Sequence, residues 1–204
     1  MTGPGQGFLG YPVVPLASVA DIDHVEAMGE GLVRGGLPIV EVALRGELGL
    51  AALRRFSERG DLAVGAGTVL DVEQARQALD AGATFVVTPG LTPDVVRYVT
   101  AAGMPVVPGV ITPTEVQEAR ALGLRRVKLF HAGNFGGLTL LSAYADVYRD
   151  MSFMPSGGVG PDNVADYLAH PAVFAASGSW ILAEPDTDTV AERAAAAQLL
   201  GTHD

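Results

Sequence analysis

The chain alternates short, wholly apolar runs with longer stretches in which apolar residues recur every three or four positions. Runs of the first kind read as strands buried on both faces; the longer stretches read as amphipathic helices. "VVPL" (Val13–Leu16) is the first strand. Residues 21–35 form the first helix, with Ile22, Val25, Met28, Leu32 and Val33 on one face. Asp21 is placed to cap it and Gly35-Gly36 to stop it. The same alternation then predicts strands at 39–44, 62–67, 85–88, 105–110, 126–130, 152–157 and 173–177. Helices are predicted at 48–59, 71–81, 92–102, 112–122, 138–148, 161–169 and 188–200.

Eight strand–helix units imply a parallel sheet with helices outside, and eight units favour closure into a (β/α)8 TIM barrel. A doubly wound open sheet is the alternative. At 204 residues the barrel is compact, since about 250 is typical. The hydrophobic content of 49% supports one sizeable core, and residues 1–204 read as a single domain. The first ten residues read as a loose tail or a short extra element.

Charge and composition narrow the function. The formal net charge is -10, and no basic cluster exceeds two residues (Arg54-Arg55 and Arg125-Arg126), which argues against a nucleic-acid partner. The absence of cysteine removes disulfides, thiolate catalysis and cysteine metal sites, and fits a cytoplasmic location. The N-terminal stretch has no basic segment followed by a long apolar one, so no signal peptide is expected. No apolar run approaches about 18 residues, so no membrane span is expected. The histidines at 24, 131, 170 and 203 show no metal-ligand spacing, so neither a metal nor a cofactor is expected. His131 follows the sixth strand, where it either lines the barrel mouth or lies in an exposed loop.

Barrel chemistry sits at the C-terminal ends of strands. On strand two, alternation puts Glu41, Ala43 and Arg45 on one face and Val40, Val42 and Leu44 on the other. The apolar set should meet the helices, leaving Glu41 and Arg45 toward the axis. They form either a structural ion pair or functional groups. On strand six the same logic turns Lys128 and Phe130 inward. Lys128 is the one lysine of the chain; the other 12 of its 13 basic residues are arginines. A desolvated lysine offers a neutral amine as nucleophile, which a guanidinium does not. The competing account is a buried Lys128–Glu41 pair without chemistry.

"GAGTVL" brings Thr68 to the mouth after strand three, and "TPGLT" brings Pro89 after strand four, either as a site or as a stiff turn before an N-cap at Thr92. "PSGGVGPDN" and "ASGSW" follow the last two strands. Their Gly157, Gly158, Gly178 and Ser179 suit phosphate binding by backbone amides near helix N-termini, unless both are ordinary glycine turns.

Taken together, "GGLPIVEVALRGE", "VGAGTVL", "TPGLT", "VKLF", "PSGGV" and "SGSW" resemble, in order and spacing, the 2-keto-3-deoxy-6-phosphogluconate (KDPG) / 4-hydroxy-2-oxoglutarate (KHG) aldolase family, over nearly the whole chain. The resemblance implies a class I, metal-free aldolase on a (β/α)8 barrel that releases pyruvate and an aldehyde, with glyceraldehyde 3-phosphate as the aldehyde from KDPG. It implies Lys128 as the Schiff-base residue, Glu41 as general acid/base and Thr68 as holder of a water. It makes Arg45 the carboxylate grip, Pro89, Phe130 and Ser156 further substrate contacts, and Gly157, Gly158, Gly178 and Ser179 the phosphate site. A small keto acid or phosphosugar is the implied partner, and a homotrimer the implied assembly. Two departures stand out. Phe130-His131-Ala132-Gly133 replaces the family's usual Phe-Pro-Ala-Glu, and Ser156 stands where many members have threonine. Both leave the aldehyde partner open. The departure at His131 also keeps two other functions in play: a phosphosugar isomerase or epimerase using Glu41 as base without a covalent step, and a non-catalytic phosphosugar-binding protein.

Overall fold

The computed structural model of the protein describes residues 10–201. The expected tail at 1–10 falls almost wholly outside them, as does His203. Strands and helices alternate: β1 (Val13–Ala17), α1 (His24–Arg34), β2 (Ile39–Ala43), α2 (Gly49–Glu58), β3 (Ala63–Gly67), α3 (Val72–Asp80), β4 (Phe85–Val87), α4 (Pro93–Ala101), β5 (Val106–Val107), β6 (Gly109–Val110), α5 (Pro113–Ala121), β7 (Arg126–Phe130), α6 (Gly137–Val147), β8 (Ser152–Ser156), α7 (Val164–Leu168), β9 (Ala176–Gly178) and α8 (Thr187–Leu199).

All strand pairs are parallel, in the order β5-β4-β3-β2-β1-β9-β8-β7-β6. The two ends of this order are consecutive in sequence, so the sheet closes on itself as a (β/α)8 barrel. The predicted fifth strand is divided into β5 and β6 by Pro108. Proline has no N–H to give a ladder, but its carbonyl still accepts from the Lys128 N–H at 2.8 Å. β5 pairs with β4 and β6 with β7, so the broken strand still joins the two halves.

The Val-rich outer faces pack under the helices. Val40, Val42, Val127 and Leu129 are fully buried there, as alternation predicts. Toward the axis, Glu41 lies in register with Gly65, and Lys128 with Gly109 and Met154.

Three element starts differ from expectation by three residues, each for a local reason. The first helix begins at His24, because the Asp21 carboxylate accepts from the Asp23 N–H at 3.0 Å and makes a turn instead of a cap. The seventh helix begins at Val164. Asn163 accepts from the Gly160 N–H at 3.0 Å and donates to the Gly158 carbonyl at 2.9 Å, which holds residues 160–163 as a turn. The last strand starts at Ala176, since Val173 makes only an isolated bridge to Phe153. Thr92 occupies the N-cap position of α4, but its hydroxyl makes no capping bond; Pro93 sets the first turn. No helix among the described residues is long and apolar enough to cross a membrane.

Candidate active site

Lys128 and Glu41 meet at the centre of the barrel. Their strands are separated by 87 residues, yet Lys128 Nζ lies 3.3 Å from Glu41 Oε1. Glu41 is fully buried and Lys128 is 4% exposed. Taking two charges out of water is costly unless each is closely satisfied. The second carboxylate oxygen, Oε2, accepts from the Ser177 hydroxyl at 3.1 Å. Space for the carboxylate comes from Gly67 on the neighbouring strand, where any Cβ would press on Glu41. The Lys128 ammonium also lies 4.9 Å from the centre of the Phe130 ring, within cation–π range.

Above this pair opens a cavity of about 430 Å³ at the C-terminal ends of the strands. All eleven residues singled out from sequence line it. Glu41, Arg45, Thr68 and Pro89 form one side. Lys128, Phe130, Ser156, Gly157, Gly158, Gly178 and Ser179 form the other. Thr68 holds φ +60, a left-handed conformation that a β-branched residue rarely adopts. Strain of this kind concentrates at functional sites. Gly157 and Gly158 hold φ +80 and +78, in the region that favours glycine.

Arg45 is not the ion-pair partner of Glu41. It lies exposed beyond the end of β2, and its guanidinium donates to Ser18 Oγ at 3.0 Å. The buried partner of Glu41 is Lys128. A larger groove, about 1060 Å³, opens among the starts of β5, β7 and β8, at the opposite end of the barrel. It holds neither Lys128 nor Glu41, and in this fold the chemistry lies at the other end.

The sequence profile of the KDPG and KHG aldolases matches residues 9–193. The chain belongs to the KDPG and KHG aldolase family. It is 43% identical over 178 residues to the 2-dehydro-3-deoxy-phosphogluconate aldolase of Pseudomonas aeruginosa, covering 87% of this chain and 80% of that protein. The crystal structure of the KDPG aldolase of Zymomonas mobilis superposes with a TM-score of 0.92 at 36% identity, covering 96% of this chain and 97% of that one. A KDPG aldolase from Legionella pneumophila, holding pyruvate as a covalent carbinolamine, superposes with a TM-score of 0.91 at 30% identity, covering 97% and 98%. The protein is therefore an aldolase on a (β/α)8 barrel.

Two polar residues at the site of this aldolase were not chosen from sequence: Ser177, which bonds to Glu41, and His131, at the cavity wall. Ser177 lies inside "ASGSW", whose Gly178 and Ser179 drew attention as a phosphate loop. The signal that exposed Lys128 was also present for Ser177: a polar residue in a buried strand must bond to something inside. His131, left open between mouth and loop, lines the cavity. Its ring stacks on Phe130 with centroids 3.5 Å apart.

Proposed function

We propose that this aldolase cleaves KDPG, or a closely related 4-hydroxy-2-keto acid, into pyruvate and an aldehyde through a Schiff base on Lys128. The single observation carrying this reading is the buried contact between Lys128 and Glu41, 3.3 Å apart beneath the cavity. Lys128 must lose a proton before it can attack, and Glu41 is the acceptor beside it. The amine adds to the C2 carbonyl and gives a carbinolamine. Glu41 returns a proton to the departing hydroxyl, water leaves, and an iminium remains. The iminium draws the electron pair of the C3–C4 bond as a base removes the proton of the C4 hydroxyl. That bond breaks, releasing the aldehyde and leaving an enamine. Protonation at C3 and hydrolysis of the iminium by water release pyruvate and regenerate the lysine. Glu41, with a water held by Thr68, serves these proton transfers.

Arg45 grips the substrate carboxylate. Pro89, Phe130 and Ser156 shape the walls, with the Ser156 hydroxyl available to a substrate hydroxyl. A terminal phosphate rests on the backbone amides of Gly157-Gly158 and Gly178-Ser179; from KDPG the aldehyde is glyceraldehyde 3-phosphate. We further propose that one domain carries the whole activity, that it works in the cytoplasm without a metal, and that it assembles as a homotrimer, as the family resemblance implies.

Borohydride reduction in the presence of pyruvate, read by intact mass and peptide mapping, tests the covalent step. A reduced pyruvyl adduct on Lys128 is the expected result. Folded protein that forms no adduct would remove the Schiff-base mechanism.

A further inference from the structure

We propose that His131 is a specificity residue that holds the terminal phosphate of the substrate. The inference rests on the reading above, in which the glycine loops seat that phosphate.

The cavity lining carries four titratable side chains: Glu41, Lys128, Arg45 and His131. Glu41 and Lys128 are committed to each other at the floor. Arg45 stands at the end of β2, where its guanidinium donates to Ser18. The two glycine loops contribute no cation of their own. His131 is the basic group on their side of the mouth.

Its placement is fixed on two sides. The imidazole stacks on Phe130. Across from it lies Gly157: a Cβ built there would stand 2.7 Å from His131 Nδ1 and 3.2 Å from His131 Cα. The two loops are also tied by their backbones. The Ala132 N–H donates to the Ser156 carbonyl and the Gly133 N–H to the Gly157 carbonyl, both at 2.8 Å. An anion on the Gly157-Gly158 amides therefore lies beside the imidazole, whose N–H adds a side-chain donor to those backbone N–H groups. His131 touches neither Lys128 nor Glu41 in any hydrogen bond of the structure, so it has no assigned part in bond cleavage.

The test compares the wild type with His131→Gln, His131→Ala and His131→Arg on the phosphorylated and unphosphorylated forms of the same 4-hydroxy-2-keto acid. For His131→Ala, KM for the phosphorylated form should rise about tenfold or more, the effect of losing one strong hydrogen bond to a charged group. Its kcat should stay within a few-fold, and KM for the unphosphorylated form should hold. His131→Arg should restore most of the phosphate preference, which a purely structural role would not predict. Binding of inorganic phosphate, measured by calorimetry, should weaken in His131→Ala and recover in His131→Arg. Equal losses on both substrates, or unchanged phosphate affinity in His131→Ala, would overturn the proposal. Wild-type protein that binds no phosphate would also overturn it. Failure of the parent reading looks different: the wild type would then turn over neither substrate, whatever stands at 131.

Discussion

A methyl group at position 67 would meet the Glu41 carboxylate: a Cβ built on Gly67 lies 2.5 Å from Oε1 and 2.7 Å from Cγ. The backbone of Gly67 is ordinary strand, so alanine would meet no conformational barrier there. The whole effect of Gly67→Ala should fall on Glu41. Overpacking of this kind costs about 1–3 kcal/mol, and the displaced carboxylate should lose its alignment with Lys128. We expect kcat to drop about tenfold or more, in the range of a lost general acid/base. Native kcat in a folded Gly67→Ala protein would show that the position of Glu41 is unimportant.

Lys128→Arg should abolish turnover, because a guanidinium keeps its proton and forms no Schiff base. Lys128→Met should be inactive and also unstable, since Glu41 would be left as a buried charge without its cation. Breaking one side of a buried pair costs about 3–5 kcal/mol. Replacing both partners, in Lys128→Met with Glu41→Leu, should recover much of that loss. Urea unfolding of the two singles and the double measures the coupling. Additive losses would mean that the pair contributes nothing jointly.

Glu41→Gln should slow turnover about a hundredfold or more while the fold survives, since the amide fills the same space but relays no protons. A far-ultraviolet circular dichroism spectrum and a steady-state assay separate the two effects.

Ser177→Ala removes the donor to Glu41 Oε2 and should lower kcat about three- to tenfold, roughly the worth of one hydrogen bond. Ser177→Thr keeps a hydroxyl and should recover part of the rate. Because Ser177 acts through Glu41, its loss should add little to Glu41→Gln, and a double-mutant cycle on kcat reads this directly.

Outside the site, the Glu115 carboxylate closes the first turn of α5, accepting from the Ile111 and Thr112 N–H groups at 2.8 Å each. Burial alone would raise its affinity for a proton, but these donors and the Thr112 hydroxyl prevail, and its pKa is lowered from 4.5. A carboxyl depressed on folding contributes stability above its unfolded pKa and loses it as pH falls through the folded one. The stability advantage of the wild type over Glu115→Gln should therefore be full near neutrality and shrink as pH falls below about 4.5. Thermal unfolding of both proteins across that range checks it; a difference independent of pH would contradict the assignment.

Much of this architecture was legible in the residues themselves. The alternation of apolar runs with helical spacing gave eight units, and eight units gave closure. Glu41 and Lys128 stood out because a charge in a strand buried on both faces requires a reason. What stayed hidden was set at short range or at long range. Asp21 and Asn163 spend their side chains on neighbouring backbone, which moved two helix starts in ways that apolar periodicity does not register. The break at Pro108 could have been read from its missing N–H. The pairing of Glu41 with Lys128, rather than with the nearby Arg45, depends on which strands face each other across the axis. The residues offered both Arg45 and Lys128 as partners of Glu41, and the fold chose Lys128.

The way the chain distributes its cations also gives it an unusual chemical profile. Twelve guanidiniums carry the positive charge, and the one side-chain amine lies at the bottom of the cavity. Acylating reagents and amine cross-linkers have no lysine target on the outside of the barrel. Their rate of attack at position 128 thus becomes a gauge of how freely a small molecule passes the mouth, and a bound ligand registers as protection. In effect the protein carries a built-in reporter whose one side-chain amine responds at the floor of the cavity.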